Sequence, residues 1–413
     1  MEPEDRPDAL IINTCAFISA ARKESSEAIS EAVKMKSEGK LKKVVVCGCL
    51  PQMYGKRAGS ILKGVDLALG TSDIPRIEHY LKKSLSTGDN RILVSDRLDY
   101  IYSDSSPRVL MTPPHYAFVK ISEGCSNFCS YCVISKLRGR FRSRPIPSVM
   151  REVTALSKDG QLKEINLIGQ DTTLFGIDRY GRARFPDLLR RLCRLKNSVR
   201  WIRILYTHPA HYSDELISVI RDEERICKYL DLPIQHISDK ILKRMNRKTT
   251  RRRMTDLIGK LREEIPGLVL RTSVIVGFPG ETETDFKELA GFIKETRFEK
   301  LGAFVYSKEA GTRAASFKGQ VSGRVKASRL DELMKLQQEI SKDINRSFLG
   351  RTVEILIDEK AEGERGQYLG RTRRDAPEVD GIVYVKGRGL AAGELCRVRV
   401  TDTLEYDLVG EAV

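Results

Sequence analysis

Short apolar runs and helical stripes alternate through the first 85 residues of the chain. Residues 8–13 and 43–48 are apolar stretches bounded by turn residues, which is typical of buried strands, and residues 61–69 lead into a third such stretch. Between the first two, residues 25–35 carry apolar side chains at helical spacing. We therefore predict an N-terminal parallel α/β domain over residues 1–85.

The alternation resumes after a predicted linker at residues 86–112 and continues through a predicted domain at residues 113–345. The strands predicted there are separated by helices and lie at residues 116–121, 164–168, 201–205, 229–232, 269–276 and 301–305. Six strand–helix units are too few for a closed barrel of eight. The pattern favours a partial, open-sided (β/α)6 barrel, whose open side would admit a macromolecular substrate. A long, charged amphipathic helix over residues 325–345 ends this domain.

Residues 346–413 have a different pattern, in which apolar and polar positions alternate between glycine-rich turns. Alternation of this kind predicts a small antiparallel β-barrel. The predicted fold class is therefore α/β: an N-terminal parallel α/β domain, a partial barrel and a C-terminal β-barrel. A chain of 413 residues is long enough for two or three such domains.

Composition predicts a soluble, cytoplasmic protein. No apolar run approaches the roughly 20 residues that a membrane-spanning helix needs. Residues 1–8 are acidic and lack the basic-then-apolar order of a secretory signal. In the cytoplasm, the nine cysteines indicate metal or redox chemistry rather than disulfides.

The formal net charge of +16 is unevenly distributed. Residues 346–413 hold 11 basic and 13 acidic side chains, a net charge of −2, whereas residues 1–345 hold 61 basic and 43 acidic ones, a net charge of +18. A basic surface indicates an anionic partner such as RNA or a ribosome, or it is simply solvated.

One basic run has a regular spacing. Five basic residues at every second position would share one face of an extended segment, toward a phosphate, an acidic loop, a cofactor carboxylate or solvent. They are Lys136, Arg138, Arg140, Arg142 and Arg144.

The clearest chemical signal is the spacing Cys-x-x-x-Cys-x-x-Cys, formed by Cys125, Cys129 and Cys132. A four-iron cluster takes four ligands, so three cysteines would leave one iron open for chemistry. A structural zinc site would need a fourth cysteine or histidine at short spacing, and the next ones downstream are Cys193 and His208. Spacing alone favours a catalytic iron–sulfur cluster and leaves a zinc site or an incidental cluster of thiols open.

This triplet resembles that of the radical S-adenosylmethionine (SAM) enzymes, and other segments narrow the resemblance to methylthiotransferases. These segments begin at Asn13 (NTCAF), Val46 (VCGCLPQ), Leu167 (LIGQDTT) and Val276 (VGFPGE). The resemblance covers nearly the whole chain. It implies that the C-terminal β-barrel is a TRAM domain. It also implies a 4Fe–4S cluster on the triplet, with SAM bound to the open iron and cleaved to a 5′-deoxyadenosyl radical.

Candidate SAM-binding residues follow the predicted strands, because ligands of parallel α/β folds bind at the carboxyl ends of the strands. The resemblance supports this placement for Gln170, Asp171, Gln235, Gly277, Phe278 and Gly280. The glycines would allow a nucleoside to approach the backbone, or they only form tight turns. Tyr131 is a further candidate, for packing on the adenine, or it is an ordinary core aromatic residue.

The resemblance also implies a second, auxiliary 4Fe–4S cluster, which in the family is held by three N-terminal cysteines. Cys15 and Cys49 match the second and third of these, whereas nothing before Cys15 matches the first. The hypotheses are a truncated start, an incomplete auxiliary cluster, or replacement by Cys47, which would share a strand face with Cys49. The remaining cysteines, Cys193, Cys227 and Cys396, are predicted to be packing residues.

Several segments resemble the branch of the family that modifies the β-carbon of an aspartate in a small-subunit ribosomal protein, the twelfth of its S series. They begin at His115 (HYAFVKISEGC), Leu205 (LYTHP) and Arg371 (RTRRDAPEVDG). The expected partners are that protein or the ribosome, and an electron donor such as flavodoxin or ferredoxin. The alternatives are a tRNA adenosine methylthiotransferase and a catalytically impaired ribosome-binding relative. The absence of excess positive charge in residues 346–413 disfavours a dedicated RNA clamp there.

Overall fold

The computed structural model describes residues 7–88, 90–363 and 366–413, so most of the predicted acidic start lies outside the described residues. The chain divides into two compact units. The first comprises Met1–Ile101, Glu123–Arg142 and Ser307–Ser316, and the second comprises Tyr102–Ser122, Ser143–Tyr306 and Phe317–Val413. These units interleave along the chain, whereas the domains predicted from sequence are contiguous, so their boundaries stay a prediction.

The first unit is built on a four-stranded parallel sheet whose strands follow one another in chain order. The strands are β1 (Ala9–Thr14), β2 (Lys43–Gly48), β3 (Leu67–Leu69) and β4 (Arg91–Leu93). Its helices are α1 (Ser19–Ser37), α2 (Cys49–Tyr54), α3 (Ala58–Ile61), α4 (Ile77–Thr87) and α5 (Ile134–Leu137). Strand β4 lies in the range predicted as a linker, because this short edge strand has no buried residue and therefore lacks the apolar run that reveals β3.

Both faces of this sheet are covered, which explains why β2 is almost continuously apolar. Val44 and Val46 pack with Ile29 of α1 on one face. Val45 and Leu67 pack on the other face, against a group that includes Tyr80 of α4.

The next strands along the chain are β5 (Tyr116–Lys120), β6 (Ser122–Glu123), β7 (Arg142–Ser143), β8 (Glu164–Ile168), β9 (Trp201–Ile204), β10 (Ile226–Asp231), β11 (Val269–Val276) and β12 (Lys300–Val305). In the second unit, β5 and β8 to β12 form a six-stranded sheet in sequential order. Every neighbouring pair in it is parallel. Strands β5 and β12 are its edges, which confirms the predicted partial, open-sided barrel.

The helices of this unit are α6 (Ile146–Leu156), α7 (Ile177–Tyr180), α8 (Phe185–Cys193), α9 (Asp214–Asp222), α10 (Asp239–Met245), α11 (Arg251–Glu264), α12 (Glu283–Thr296) and α13 (Gly323–Arg346). One core cluster joins all of these helices except α7 to strand residues such as Ile165 and Leu167. Helix α12 begins with a capping box in which Thr282 and Asp285 satisfy each other's backbone N–H groups. Short 3₁₀ turns complete the helical segments at Gly55–Arg57, Ile74–Arg76, Pro209–His211 and Arg313–Ser316.

The C-terminal strands are β13 (Thr352–Lys360), β14 (Gln367–Thr372), β15 (Val383–Lys386), β16 (Leu395–Thr403) and β17 (Leu408–Ala412). They form the predicted closed barrel, in the order β13-β14-β15-β17-β16. One pair departs from the antiparallel prediction, because β15 and β17 are parallel neighbours. Closing the ring through β15 and β17 requires this parallel contact.

The β-barrel packs on the amino-terminal ends of the six-stranded sheet, within the second unit. Trp201 and Val269, the first residues of β9 and β11, share a core cluster with Leu356 of β13. Glu164, the first residue of β8, is fully buried and bonds Arg203 at 2.8 Å and Arg371 of the β-barrel at 2.7 Å. The amino-terminal ends are therefore occupied by protein, so the carboxyl-terminal ends remain for ligands.

Within residues 7–88, 90–363 and 366–413, no helix combines the length and the apolar character that crossing a bilayer requires.

Candidate active site

The cysteine triplet lies on one tight loop of the first unit, between Glu123 and α5. The backbone N–H of Cys125 donates to Gly139 O at 3.2 Å, and that of Cys132 donates to Cys129 O at 3.1 Å. Gly124 has φ +76°, and a Cβ there would lie 2.3 Å from Arg140 O. Only glycine fits this approach. The start of the cysteine loop is therefore packed closely against the backbone at Arg140.

The donor set of this loop fits the predicted cluster. Cys125, Cys129 and Cys132 are all partly accessible, so their thiols can be reached by iron. The backbone N–H of Ile134 donates to Cys132 Sγ at 3.5 Å, a bond that favours a thiolate at that sulfur. Tyr131, in the same loop, is partly buried.

The second pair of cysteines lies at the carboxyl ends of adjoining strands in the same unit. Thr14 of β1 pairs with Gly48 of β2, so Cys15 and Cys49 each come directly after paired residues. Ser25 of α1 holds the backbone of Cys15 at both ends: its Oγ accepts from the N–H at 3.2 Å and donates to the carbonyl at 3.1 Å. Cys49 begins α2. The two cysteines therefore lie at the carboxyl-terminal end of the sheet, as their positions directly after strands predict.

Cys47 does not share a face with Cys49, contrary to the hypothesis that it could replace a ligand. It packs with Val45 and Leu67, whereas Cys49 belongs to the core cluster on the opposite face of the sheet. The reason is Gly48, which ends β2 with φ +100° and breaks the alternation. Burial raises the pKa of the Cys47 thiol to about 11, which disfavours the thiolate that metal binding needs.

Arg138 is a site residue that sequence reasoning did not single out. It follows α5, and its guanidinium lies between Cys49 and Glu123, at 3.4 Å from Cys49 Sγ. Other members of the basic run also bond within the protein. Lys136 donates to Gly311 O, and Arg142 donates to Tyr100 O. The prediction of one basic face on an extended segment is therefore wrong, because α5 interrupts it.

The remaining candidates lie in the second unit, after the carboxyl ends of β8, β10 and β11. Gln170 follows β8, and its buried Oε1 has no hydrogen-bond partner among the described residues. An unsatisfied buried acceptor is costly, so it marks a place where a ligand donor fits. Gln235 follows β10 with φ +68°, which is uncommon for a residue with a side chain.

Asp171 is buried, and polar side chains bond its carboxylate. Thr173 donates to its Oδ1 at 2.5 Å, and His211 lies at 2.9 Å from its Oδ2. Burial opposes the charge, but the bond from His211 dominates among the opposing causes and lowers the pKa of Asp171. His208 stacks on His211 at 4.6 Å, and burial lowers the pKa of His208 to about 2, so this imidazole is neutral. One carboxylate oxygen of Asp171 and one ring nitrogen each of His208 and His211, the atoms that could bind a metal ion, lie within 4.8 Å of one another.

The glycine-rich turn after β11 is engaged within the protein. The N–H groups of Gly277 and Phe278 both donate to Glu281 Oε2, at 2.9 and 3.2 Å. Phe278 is buried against Tyr306, and a Cβ on Gly277 would lie 2.3 Å from the Lys326 side chain. The role of this turn, including Gly280, in binding SAM stays a prediction.

The isolated cysteines are packing residues, as predicted. Cys227 is fully buried, and Cys193 and Cys396 pack at the borders of core clusters.

Family models match three parts of the chain. Residues 119–293 match the radical SAM superfamily, residues 349–413 match the TRAM domain, and residues 1–70 match the uncharacterized protein family UPF0004. The matches coincide with the partial barrel, the C-terminal β-barrel and the sheet that carries Cys15 and Cys49. Together with the triplet they define a radical SAM enzyme, a class that implies a 4Fe–4S cluster and SAM as cofactors.

Two relatives narrow the class. The ribosomal protein uS12 methylthiotransferase RimO of Desulforamulus reducens is 45% identical over 99% of this chain and 91% of its own length. The protein of the same name from Pelobacter propionicus is 43% identical over 99% and 90%. The chain belongs to the RimO family of radical SAM methylthiotransferases.

Solved structures share the fold at low identity. The radical SAM methyltransferase TsrM of Kitasatospora setae, with cobalamin and a 4Fe–4S cluster bound, aligns with a TM-score of 0.56 at 15% identity, over 95% of this chain and 73% of TsrM. The cobalamin-dependent radical enzyme OxsB aligns with a TM-score of 0.51 at 13% identity, over 82% of this chain and 48% of OxsB.

Proposed function

We propose that this chain attaches a methylthio group to the β-carbon of an aspartate in ribosomal protein uS12. The observation that carries the proposal is that one compact unit holds both cysteine sets, the triplet loop and the pair Cys15 and Cys49. The relatives named for this activity match the chain over nearly its whole length.

In this proposal Cys125, Cys129 and Cys132 hold one 4Fe–4S cluster, and Cys15 and Cys49 are ligands of a second. With SAM, the first cluster would supply a carbon radical, which can break a C–H bond too strong for side-chain acids and bases. The protein's own part is to hold the sulfur atoms, orient the cofactor and keep water out. The second cluster is the proposed source of the sulfur atom that replaces the hydrogen, and a second SAM is the proposed methyl donor.

The proposed SAM-binding residues are Tyr131, Gln170, Asp171, Gln235, Gly277, Phe278 and Gly280. The unsatisfied Oε1 of Gln170 supports this assignment most directly, because the N–H groups of SAM are donors that would satisfy it. The bonds from Thr173 and His211 favour the ionised carboxylate of Asp171, which can accept a hydrogen bond from an N–H group of SAM.

The proposed setting is the cytoplasm, with uS12 as the substrate, alone or in the ribosome, and with flavodoxin or ferredoxin as the electron donor. The net charge of +18 in residues 1–345 supports contact with the RNA around a ribosomal substrate.

The test compares cells that lack the gene with cells that express the wild type, Cys129→Ala or Cys193→Ala. Cys193 is the matched control, because it packs at the border of a core cluster, away from both cysteine sets in sequence. We expect the wild type and Cys193→Ala to restore the methylthio group on uS12, measured by mass spectrometry of its peptides, and Cys129→Ala to restore none.

Nucleosides of tRNA from the same cells are measured in parallel. Restoration of a methylthio group on tRNA adenosine with none on uS12 would contradict the proposal. So would cells in which the wild type changes neither molecule.

A further inference from the structure

The guanidinium of Arg138 connects the loop of the first cysteine set to a cysteine of the second. Its Nη2 lies 3.4 Å from Cys49 Sγ, and its Nη1 lies 3.4 and 3.5 Å from the two carboxylate oxygens of Glu123. Glu123 precedes Cys125 by two residues. Both ends of this contact lie within the first unit.

The backbone fixes the starting point of this long side chain. The N–H of Arg138 donates to Ile134 O at 2.7 Å, and its carbonyl accepts from Arg142 Nη2 at 2.9 Å. The preceding residue, Leu137, is buried in the core cluster that contains Cys49, and its carbonyl accepts from Thr71 Oγ1 at 2.7 Å. The guanidinium is therefore aimed at Cys49 by a well-packed segment, which reduces the entropy lost in holding it there.

The guanidinium of Arg138 is a charged group that is largely shielded from water. The side chain of Arg138 is 30% exposed and that of Glu123 only 8%, so the pair is largely shielded from water. An arginine guanidinium stays protonated in proteins, so this group keeps its positive charge despite its partial burial. A planar guanidinium can bond a carboxylate with one edge and a sulfur with another, which an ammonium group cannot do in a fixed geometry.

We propose that Arg138 is a positioning residue for the second cluster: it donates a hydrogen bond to Cys49 Sγ, orients this ligand and raises the reduction potential of that cluster. The inference rests on the proposed function, because it takes Cys49 as a cluster ligand. Hydrogen bonds and positive charge at a ligating sulfur stabilise the more negative, reduced state of a cluster, and a bond of this kind also orients the ligand. Glu123 keeps the guanidinium in place from the side of the triplet loop.

A purely structural ion pair between Arg138 and Glu123 predicts a different result. Such a pair would affect the folding of the loop and both clusters alike, whereas the proposed role affects the second cluster selectively. The reduction potential of each cluster separates the two cases.

The experiment reconstitutes full-length wild type, Arg138→Gln, Arg138→Lys and Arg140→Gln without oxygen. Arg140 is the matched control, because it is an exposed arginine two residues away whose replacement removes the same charge. Iron and sulfide are counted, and both clusters are titrated with reductant and followed by electron paramagnetic resonance.

We expect about eight irons per chain in the wild type. Arg138→Gln should shift the potential of the second cluster downward or lose that cluster alone, with the first cluster unchanged. Arg138→Lys should give an intermediate shift, and Arg140→Gln none.

Two loaded clusters with unchanged potentials in Arg138→Gln would overturn the role of Arg138 while leaving the proposed function intact. Equal loss of both clusters would overturn it as well, since that is the result of a structural pair. A count of about four irons per wild-type chain would mean that the second cluster does not form. That result would overturn both the proposed function and this role.

Discussion

At the scale of single residues, two glycines allow close backbone packing directly before Cys49 and Cys125. Gly48 and Gly124 both have positive φ, and a Cβ on either would come within 3 Å of backbone oxygen. For Gly48 this is Thr14 O at 2.8 Å, and for Gly124 it is Arg140 O at 2.3 Å. The cysteine spacing could be read from the sequence. These close approaches could not, because they join residues that are far apart in the chain.

Gly124→Ala should therefore destabilise the triplet loop and reduce iron binding. The substitution adds a left-handed strain of about 1–2 kcal/mol and a steric clash of about 1–3 kcal/mol. The denaturant midpoint and the iron content after reconstitution measure both effects. Gly39→Ala is the control, because Gly39 also has positive φ but a Cβ there meets nothing within 4 Å. Equal losses in the two variants would contradict the importance of the close approach.

Cys47 and Cys49 should respond differently to alanine. Cys49→Ala removes a proposed ligand and should lose the second cluster, whereas Cys47→Ala only trims a buried thiol in an apolar cluster and should keep it. Iron and sulfide counts on the two reconstituted variants check this expectation. A loss of iron in Cys47→Ala as large as in Cys49→Ala would contradict the opposite-face arrangement.

At the scale of elements, a buried charge network fastens the β-barrel to the six-stranded sheet. Arg371 of β14 bonds both Glu164 of β8 and Asp358 of β13. His115, just before β5, lies 2.9 Å from Asp358. The strands themselves were predictable from alternation, and the bounds of β8 and β11 agree with the prediction. The network was not predictable, because its partners are up to 243 residues apart.

Acid should weaken the contact between the β-barrel and the six-stranded sheet within a defined range of pH. Burial would raise the pKa of Glu164, but Arg203 and Arg371 outweigh it and lower the pKa below its ordinary value of 4.5. A lowered carboxylate pKa gives stabilisation that is present above pH 4.5 and lost as the pH falls through the folded pKa. The unfolding free energy should therefore decrease below that pH, as measured by denaturant titration at a series of pH values.

Glu164→Gln tests the same junction at neutral pH. Removing one partner of a buried ion pair leaves uncompensated charge and should cost about 3–5 kcal/mol. The variant should also lose part of the acid dependence. Glu78→Gln is the control, because Glu78 pairs with Lys82 on the surface, where solvent screens the interaction. Equal stability of Glu164→Gln and wild type would contradict the role of the network.

At the scale of the whole molecule, the sequence predicts the type of each domain better than the residues at which the domains begin and end. Periodicity identified the parallel sheets and the C-terminal barrel because each has a repeating pattern of buried positions. It missed β4, a short edge strand with no buried residue, and it could not show that Ser307–Ser316 belongs to the first unit. The cysteines were found by spacing, whereas the basic run included Arg138 among five residues and only its side-chain contacts distinguish it from the others.

The most direct test of the account is the reaction of purified uS12 with the reconstituted enzyme, SAM and a chemical reductant, followed by mass spectrometry of the uS12 peptides. We predict that the wild type adds one methylthio group in place of a hydrogen on a single aspartate, and that neither Cys129→Ala nor Cys49→Ala does so. Unmodified uS12 with a fully loaded wild type, or an unchanged yield with Cys49→Ala, would contradict it.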